Sequence, residues 1–356
     1  MVFIIEHTST VMERAVFAAL LLVSASLSGC LKLDNGSSEV EEPSGDEVQF
    51  FEDGIYTCIE HEDIPRCWQT HIPEGLDPDE PVPLIVDIHG YGGTSTLQRS
   101  VTQFDEIADE YGAIVVYPDG SESMYPWDPD QSSEQAWNAG WCCGSPAQND
   151  VDDIGFLLRM IDLVSENHQI DQNRIYVTGW SNGCAMSQYL AMKASEVFAA
   201  VGCMSFYLIT EYDSEYSPIP IMEVHGFLDQ VVLYESSVLN VPTNPDAWVD
   251  PEALETGAIE NMYEWADYNE CSGTVENFEI NALYSIQGFD DCQYGADVRL
   301  MTIYGAQHNP YAKDVDDGTV IGSLLVGTQG LVQSSHIVWE FMSKYSKENE
   351  GSIPDY

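Results

Sequence analysis

Basic residues are scarce in this chain. Eleven Lys and Arg stand against 60 Asp and Glu in 356 residues, a formal net charge of −49. Such a surface repels phosphate backbones and anionic lipid, which argues against nucleic-acid binding and electrostatic membrane docking. It suits a protein kept soluble at high salt, where self-repulsion is screened, and equally an acidic secreted protein. Past residues 1–30 no apolar run is long enough to span a bilayer, and no internal repeat is visible. The cysteine spacing matches no zinc pattern. What remains is a chain with 44% hydrophobic residues, enough for a sizeable core in one large domain or two small ones.

The N-terminal stretch reads as a targeting segment. Glu13-Arg14 precedes an apolar run over 15–23, too short to span a bilayer comfortably. Leu27-Ser28-Gly29-Cys30 then resembles a bacterial lipoprotein lipobox, with Cys30 the lipidated new N-terminus and Met12 an alternative start. A plain secretory signal is the other reading. Residues 1–30 are thus a signal peptide, 31–47 an acidic flexible tether, 48–347 the folded domain and 348–356 a C-terminal tail. The expected location is the cell envelope or surface, otherwise secreted. The only expected membrane attachment is the lipid at Cys30.

Export makes disulfides permissible. With Cys30 in the lipobox, eight of the nine cysteines remain, enough for four bridges. Cys58 with Cys67 and Cys271 with Cys292 are local pairs. Among Cys142, Cys143, Cys184 and Cys203, one bridge is expected to tie the 140s loop to the helix that follows residue 181.

From residue 54 onward, strand-like and helix-like runs alternate, the pattern of a mainly parallel α/β sheet. Strands are expected near 54–59, 66–72, 84–88, 113–117, 174–179, 199–207, 219–224 and 298–304. Helices are expected near 104–111, from 149–150 to 164, at 184–194, around 258–268 and over 337–345. Residues 121–148 read as a long irregular segment able to build a cleft wall. Apart from its one helix, 236–296 reads as loop.

The point of chemical interest is Val177-Thr178-Gly179-Trp180-Ser181-Asn182-Gly183. A strand that turns sharply into a helix needs small residues at the turn, and Gly179 and Gly183 supply them. Ser181 is left at the apex, beside a helix N-terminus that favours developing negative charge. A serine nucleophile needs a base, and the base an orienting acid. Loops at the carboxyl ends of parallel strands converge on one edge, which selects Asp229 and His308. The order Ser181, Asp229, His308 is that of α/β-hydrolases. His336, His225, His61, His71 and His168 are weaker bases by context. Asp246 and Asp250 follow no strand directly. Oxyanion donors are expected from the amides of Asn182 and Tyr91, with Gly92 second to Tyr91. Trp137, Trp141 and Trp180 are candidates for an aromatic cleft wall. Asp314-Val315-Asp316-Asp317-Gly318 lacks the distal bidentate Glu of a calcium loop and reads as a surface turn. No metal or organic cofactor is required by this chemistry.

Four stretches resemble the esterases of the polyhydroxybutyrate depolymerase and feruloyl esterase group, close to carbohydrate esterase family 1. They are Pro83-Leu84-Ile85-Val86-Asp87-Ile88-His89-Gly90, Trp137-Asn138-Ala139-Gly140-Trp141-Cys142-Cys143-Gly144, Val151-Asp152-Asp153-Ile154-Gly155-Phe156, and Arg174-Ile175-Tyr176-Val177 through Gly183. The resemblance runs from about 54 to 347. It implies an α/β-hydrolase fold and a secreted serine esterase acting on a hydroxyalkanoate polyester or on acyl groups of plant polysaccharide. It also implies a bridge from the Cys142-Cys143 element to the core. The chain departs from the group at Gln307-His308-Asn309-Pro310, where relatives often carry G-H-x-W-P, and in a long Gly/Asp-rich loop over 309–333. No appended carbohydrate- or polyester-binding domain is visible. A prolyl-oligopeptidase-like peptidase and an inactive surface binding protein are the alternatives; the sequence assigns no oligomeric state.

Overall fold

Along residues 84–88 successive side chains enter opposite cores. Leu84, Val86 and Ile88 face one and Ile85 the other, all fully buried. That is the signature of a strand covered on both faces. The same alternation recurs at 175–177, where Ile175 and Val177 flank Tyr176, and at 298–303. The structure is a computed structural model that describes residues 49–50, 56–124, 133–235, 257–315 and 326–347, all within the compact unit Asp46–Tyr356. The signal segment with Cys30, the tether, the C-terminal tail, Asp246, Asp250 and residues 316–318 lie outside the described residues.

The strands are β1 (Gln49–Phe50), β2 (Tyr56–His61), β3 (Ile64–His71), β4 (Val82–Ile88), β5 (Ile114–Pro118), β6 (Ser121–Met124), β7 (Ser133–Ala136), β8 (Ile170–Gly179), β9 (Ala200–Met204), β10 (Ile221–Gly226), β11 (Glu276–Ile280), β12 (Tyr284–Phe289) and β13 (Val298–Ile303). Among the described residues one sheet runs β1-β2-β3-β5-β4-β8-β9-β10-β13-β12-β11. Its six central strands, β5 to β13, are parallel, and antiparallel ribbons extend both edges. Helices α4 (Asp153–Asn167), α5 (Asn182–Lys193) and α6 (Ala258–Tyr268) cover one face. Helices α1 (Ser95–Thr102), α2 (Phe104–Tyr111) and α7 (Ser334–Met342) cover the other. This is the expected α/β-hydrolase architecture. Register aligns the strand ends: Ile88 pairs with Gly179, and Gly226 with Ile303. The loops that follow these four strands therefore leave the sheet at one edge.

Parts of the expected element order need correction. The loop-like 236–296 contains the hairpin β11–β12, whose outer strand is exposed along its length, so no apolar alternation marks it. The irregular 121–148 contains the hairpin β6–β7 and a short helix α3 (Gly144–Gln148). Helix α4 starts at Asp153, not at 149–150, because the Asp152 carboxylate accepts from the Gly155 N–H (2.9 Å) as its N-cap, while the Asn149 N–H closes the preceding turn on the Ser145 carbonyl.

The bridges are Cys58–Cys67, Cys142–Cys143, Cys184–Cys203 and Cys271–Cys292. The two local pairs are as read from the sequence. The expected bridge from the 140s loop to the helix after residue 181 is not formed. Packing of α5 over β9 brings Cys184 and Cys203 together, with Cα atoms 4.9 Å apart, and leaves Cys142 and Cys143 to each other.

Candidate active site

Ser181 sits between β8 and α5 at φ 54° and ψ −123°, a strained conformation for a residue with a Cβ. The surroundings hold it there. The Trp180 N–H donates to the Ile88 carbonyl (3.1 Å), and the Ser181 N–H to the Met204 carbonyl (2.8 Å). One close approach needs glycine and a second is tight. A Cβ at Gly183 would lie 2.1 Å from the Ile88 oxygen, and one at Gly90 would lie 3.1 Å from Ser181 Cβ. The loop after β4 is thereby pressed against the serine.

His308 Nε2 lies 2.9 Å from Ser181 Oγ, and His308 Nδ1 lies 2.7 Å from Asp229 Oδ2. A carboxylate accepts, so Nδ1 carries the proton and Nε2 is left to accept from the serine hydroxyl. All three residues are buried. The His308 carbonyl accepts from the Trp180 indole N–H (2.7 Å), which fixes the loop after β13 against the serine turn. Asp229 Oδ1 accepts from the N–H groups of Val231 (2.8 Å) and Val232 (2.9 Å). Burial would raise the Asp229 pKa, but His308, His225 and the backbone donor together hold it below the usual carboxylate value. Asp229 is therefore ionised beside the imidazole.

Asn182 is the first residue of α5, where a backbone N–H has no intrahelical acceptor. Its side chain has a second task that the sequence did not reveal. Asn182 Oδ1 accepts from the Trp137 N–H (2.8 Å), and Nδ2 donates to the Trp137 carbonyl (3.1 Å). The neighbouring Asn138 N–H donates to Asp153 Oδ2 (2.7 Å). Asp153 in turn pairs with the fully buried Arg66 (2.6 Å), whose guanidinium lies 4.0 Å over the Phe156 ring. Asn182 thus fastens the Trp137 backbone to the serine turn, and the Arg66–Asp153 pair anchors the neighbouring Asn138 N–H.

In the loop after β4 the Gly92 N–H is committed to the Gln135 carbonyl (2.8 Å). This removes Gly92 as an oxyanion donor. His89 is buried and neutral. Its Nε2 accepts from the Gly120 N–H (2.9 Å), Nδ1 bonds to the Gly90 carbonyl (2.7 Å), and burial lowers its pKa to about 4.

The aromatic wall expected from Trp137, Trp141 and Trp180 is corrected for Trp137. It is fully buried, with its indole N–H on the His89 carbonyl (3.0 Å), and supports the loop from below. Trp180 is 7% exposed and packs on His308 and Tyr311; Trp141 is partly exposed. His61 and His71 pair with Asp152 and Asp109, and none of His61, His71, His168 or His336 joins the serine. Among the described residues no group of three His, Cys, Asp or Glu is arranged to hold a metal ion, and no helix is long and apolar enough to cross a membrane.

A parallel sheet with helices on both faces, and a serine on a strained strand-to-helix turn at its carboxyl edge, define an α/β-hydrolase. Residues 61–261 match the esterase PHB depolymerase family, and the chain belongs to that family. It is similar to feruloyl esterase B of Piromyces equi, 30% identical over 243 residues, covering 66% of this chain and 41% of that protein. It is also similar to a bifunctional acetylxylan esterase/xylanase of Neocallimastix patriciarum, 23% identical over 247 residues, covering 69% of this chain and 31% of that protein. The chain therefore spans less than half the length of these two relatives. Among solved structures, an acetyl xylan esterase from Aspergillus awamori aligns with 74% of this chain and 94% of its own, at 15% identity and a TM-score of 0.45.

Proposed function

We propose that this protein is an exported serine esterase that cleaves carboxylic esters through an acyl-enzyme. The observation that carries the reading is the unbroken hydrogen-bonded line Ser181–His308–Asp229 at a strained, glycine-lined turn. In this mechanism His308 Nε2 takes the Ser181 proton as Oγ attacks the ester carbonyl. Asp229 holds the imidazole in the useful tautomer and stabilises the imidazolium. The N–H groups of Asn182 and Tyr91 receive the oxyanion. His308 then protonates the leaving alcohol, and water, activated by the same imidazole, releases the acid.

The substrate class is a feruloyl or acetyl ester on plant polysaccharide, or a hydroxyalkanoate oligomer or polyester. The family and the named activities of the relatives support it. Export is supported by the lipobox-like sequence and by the four bridges, and anchoring by a lipid at Cys30 by the lipobox-like sequence alone. The acidic composition supports work at high salt.

The test is a hydrolysis panel at low and high salt: a short p-nitrophenyl ester, methyl ferulate, acetylated xylan and a hydroxybutyrate oligomer. Fluorophosphonate labelling runs alongside. Turnover and labelling are expected for the parent protein, with turnover lower by at least about 10³-fold and no label for Ser181→Ala. Equal turnover by Ser181→Ala would sink the reading.

A further inference from the structure

Behind the proposed triad lies a second imidazole. Glu223 and His225 stand two residues apart on β10, so both side chains project from the same face of the strand. Both are buried, His225 completely. His225 Nε2 is 2.8 Å from the Val232 carbonyl and 3.5 Å from Asp229 Oδ2, while Nδ1 is 2.5 Å from Glu223 Oε1. A carbonyl oxygen can only accept, so Nε2 carries a hydrogen. Nδ1 faces a carboxylate, and the proton between them lies on one or the other. The ring is also stacked on Tyr207 (centroids 5.7 Å) and meets the edge of Tyr234 (5.8 Å). Glu223 from its own strand, Asp229 from the following loop, and the phenols of Tyr207 and Tyr234 are the titratable groups around it.

Two carboxylates flank one imidazole, and that decides where the proton sits. If Glu223 kept it, the ionised Asp229 would face only a neutral ring. If Nδ1 keeps it, one cation serves both carboxylates. Burial opposes the charge, but Glu223, Asp229 and the Val232 carbonyl together outweigh it, and the His225 pKa is raised to about 9.

We propose that His225 is a buried imidazolium that positions Asp229 and keeps it ionised, extending the line to Ser181–His308–Asp229–His225–Glu223. The proposal rests on the triad reading. Asp229 Oδ2 then lies between two imidazoles. The His225 contact to the Val232 carbonyl fixes the loop whose N–H groups hold Asp229 Oδ1. Charge alternates along the line, and the cation at His225 moderates the pull of Asp229 on His308. Removing that cation would leave the full charge of Asp229 facing the imidazolium that forms at His308 during turnover.

Two measurements on the exported, Cys30-processed protein test this. The first is histidine-selective ¹⁵N NMR of the wild type and Ser181→Ala, with the His225 resonances assigned by their loss in His225→Gln. Both ring nitrogens of His225 are expected to be protonated at pH 7.5, and Glu223→Gln is expected to lower its titration midpoint by about two units. A neutral-tautomer signature at pH 7.5 in the wild type overturns the proposal. The second is the pH profile of kcat/KM for a short ester. His225→Gln is expected to lower kcat about 10- to 100-fold with KM within about threefold, and to move the acidic limb upward by about one unit. Loss of kcat with an unmoved acidic limb marks a merely structural role and refutes the inference. An inactive Ser181→Ala together with a wild-type profile for His225→Gln would refute only this inference, whereas an active Ser181→Ala would refute the triad itself.

Discussion

Replacing Gly183 by alanine sets a Cβ 2.1 Å from the Ile88 carbonyl oxygen and 2.6 Å from that of His89. Both acceptors are backbone at the end of β4, so no side chain can swing away. Relief needs about 1 Å of separation between the start of α5 and the loop that carries Gly90 and Tyr91. Over-packing of this kind costs about 1–3 kcal/mol, partly offset by the better helix propensity of alanine. In a domain of this size that is a fall in Tm of roughly 2–8 °C. Activity should fall further than stability. A shift of about 1 Å in the proposed oxyanion donors costs on the order of 10²-fold, and the loss should appear in kcat, because the donors act on the transition state. Gly305→Ala is the matched control: a Cβ there would meet nothing within 4 Å, and the variant is expected to stay within about 0.5 kcal/mol of wild type. Thermal unfolding and initial rates on a short ester read both effects. A Gly183→Ala protein with wild-type kcat and a Tm within about a degree would refute the packing argument.

Arg66→Met is expected to cost about 3–5 kcal/mol in chemical denaturation, because Asp153 is left buried and unpaired; adding Asp153→Asn should recover most of the loss, since the amide keeps an acceptor for the Asn138 N–H. A double variant no more stable than Arg66→Met would count against the ion pair as the cause. Asp87 is fully buried, and burial raises its pKa to about 7 although Gln98 and Thr102 both donate to it. The folded state thus holds a proton that the unfolded chain releases above about pH 4, and stability from this group is lost as pH rises towards 7. The Asp87→Asn variant lacks that proton. Its stability relative to wild type should improve by about 2–3 kcal/mol between pH 5 and pH 8, and a pH-independent difference would exclude Asp87 as the source.

The parts of the site that were legible in the sequence share a cause. Ser181, Asp229 and His308 each follow a parallel strand within a few residues, and parallel strands deliver their carboxyl ends to one edge whatever the loops contain. The two glycines of the turn were equally readable, because the need for room is local. What was not legible depends on contacts between distant segments. Arg66 and Asp153 are 87 positions apart, and in so acidic a chain each reads as a surface charge until β3 and α4 are packed together. The second task of Asn182 needs Trp137 beside it, 45 residues upstream. The bridge partners of Cys142 and Cys184 likewise depend on which segments pack together. The exposed hairpin β11–β12 carries no alternation to read, since its outer strand has no buried face.

The abundance of carboxylates makes the identity of the proposed triad acid a question of donors rather than of composition. Asp87, Asp153, Glu223 and Asp229 are all buried in the same domain, and burial pushes each of them towards the neutral form. Their partners separate them. Asp87 meets an amide and a hydroxyl, both neutral, and its pKa rises to about 7. Asp153 meets Arg66 and anchors a loop. Glu223 meets only the far side of His225 among the imidazoles. Asp229 alone of these four is bonded to an imidazole whose other nitrogen reaches a serine, and its pKa is the one that is lowered. An acid that stabilises a transient imidazolium must be ionised before the proton arrives. Of the four, the donor set meets that condition at Asp229, first through His308 and then through the His225 contact whose charge the ¹⁵N measurement would read.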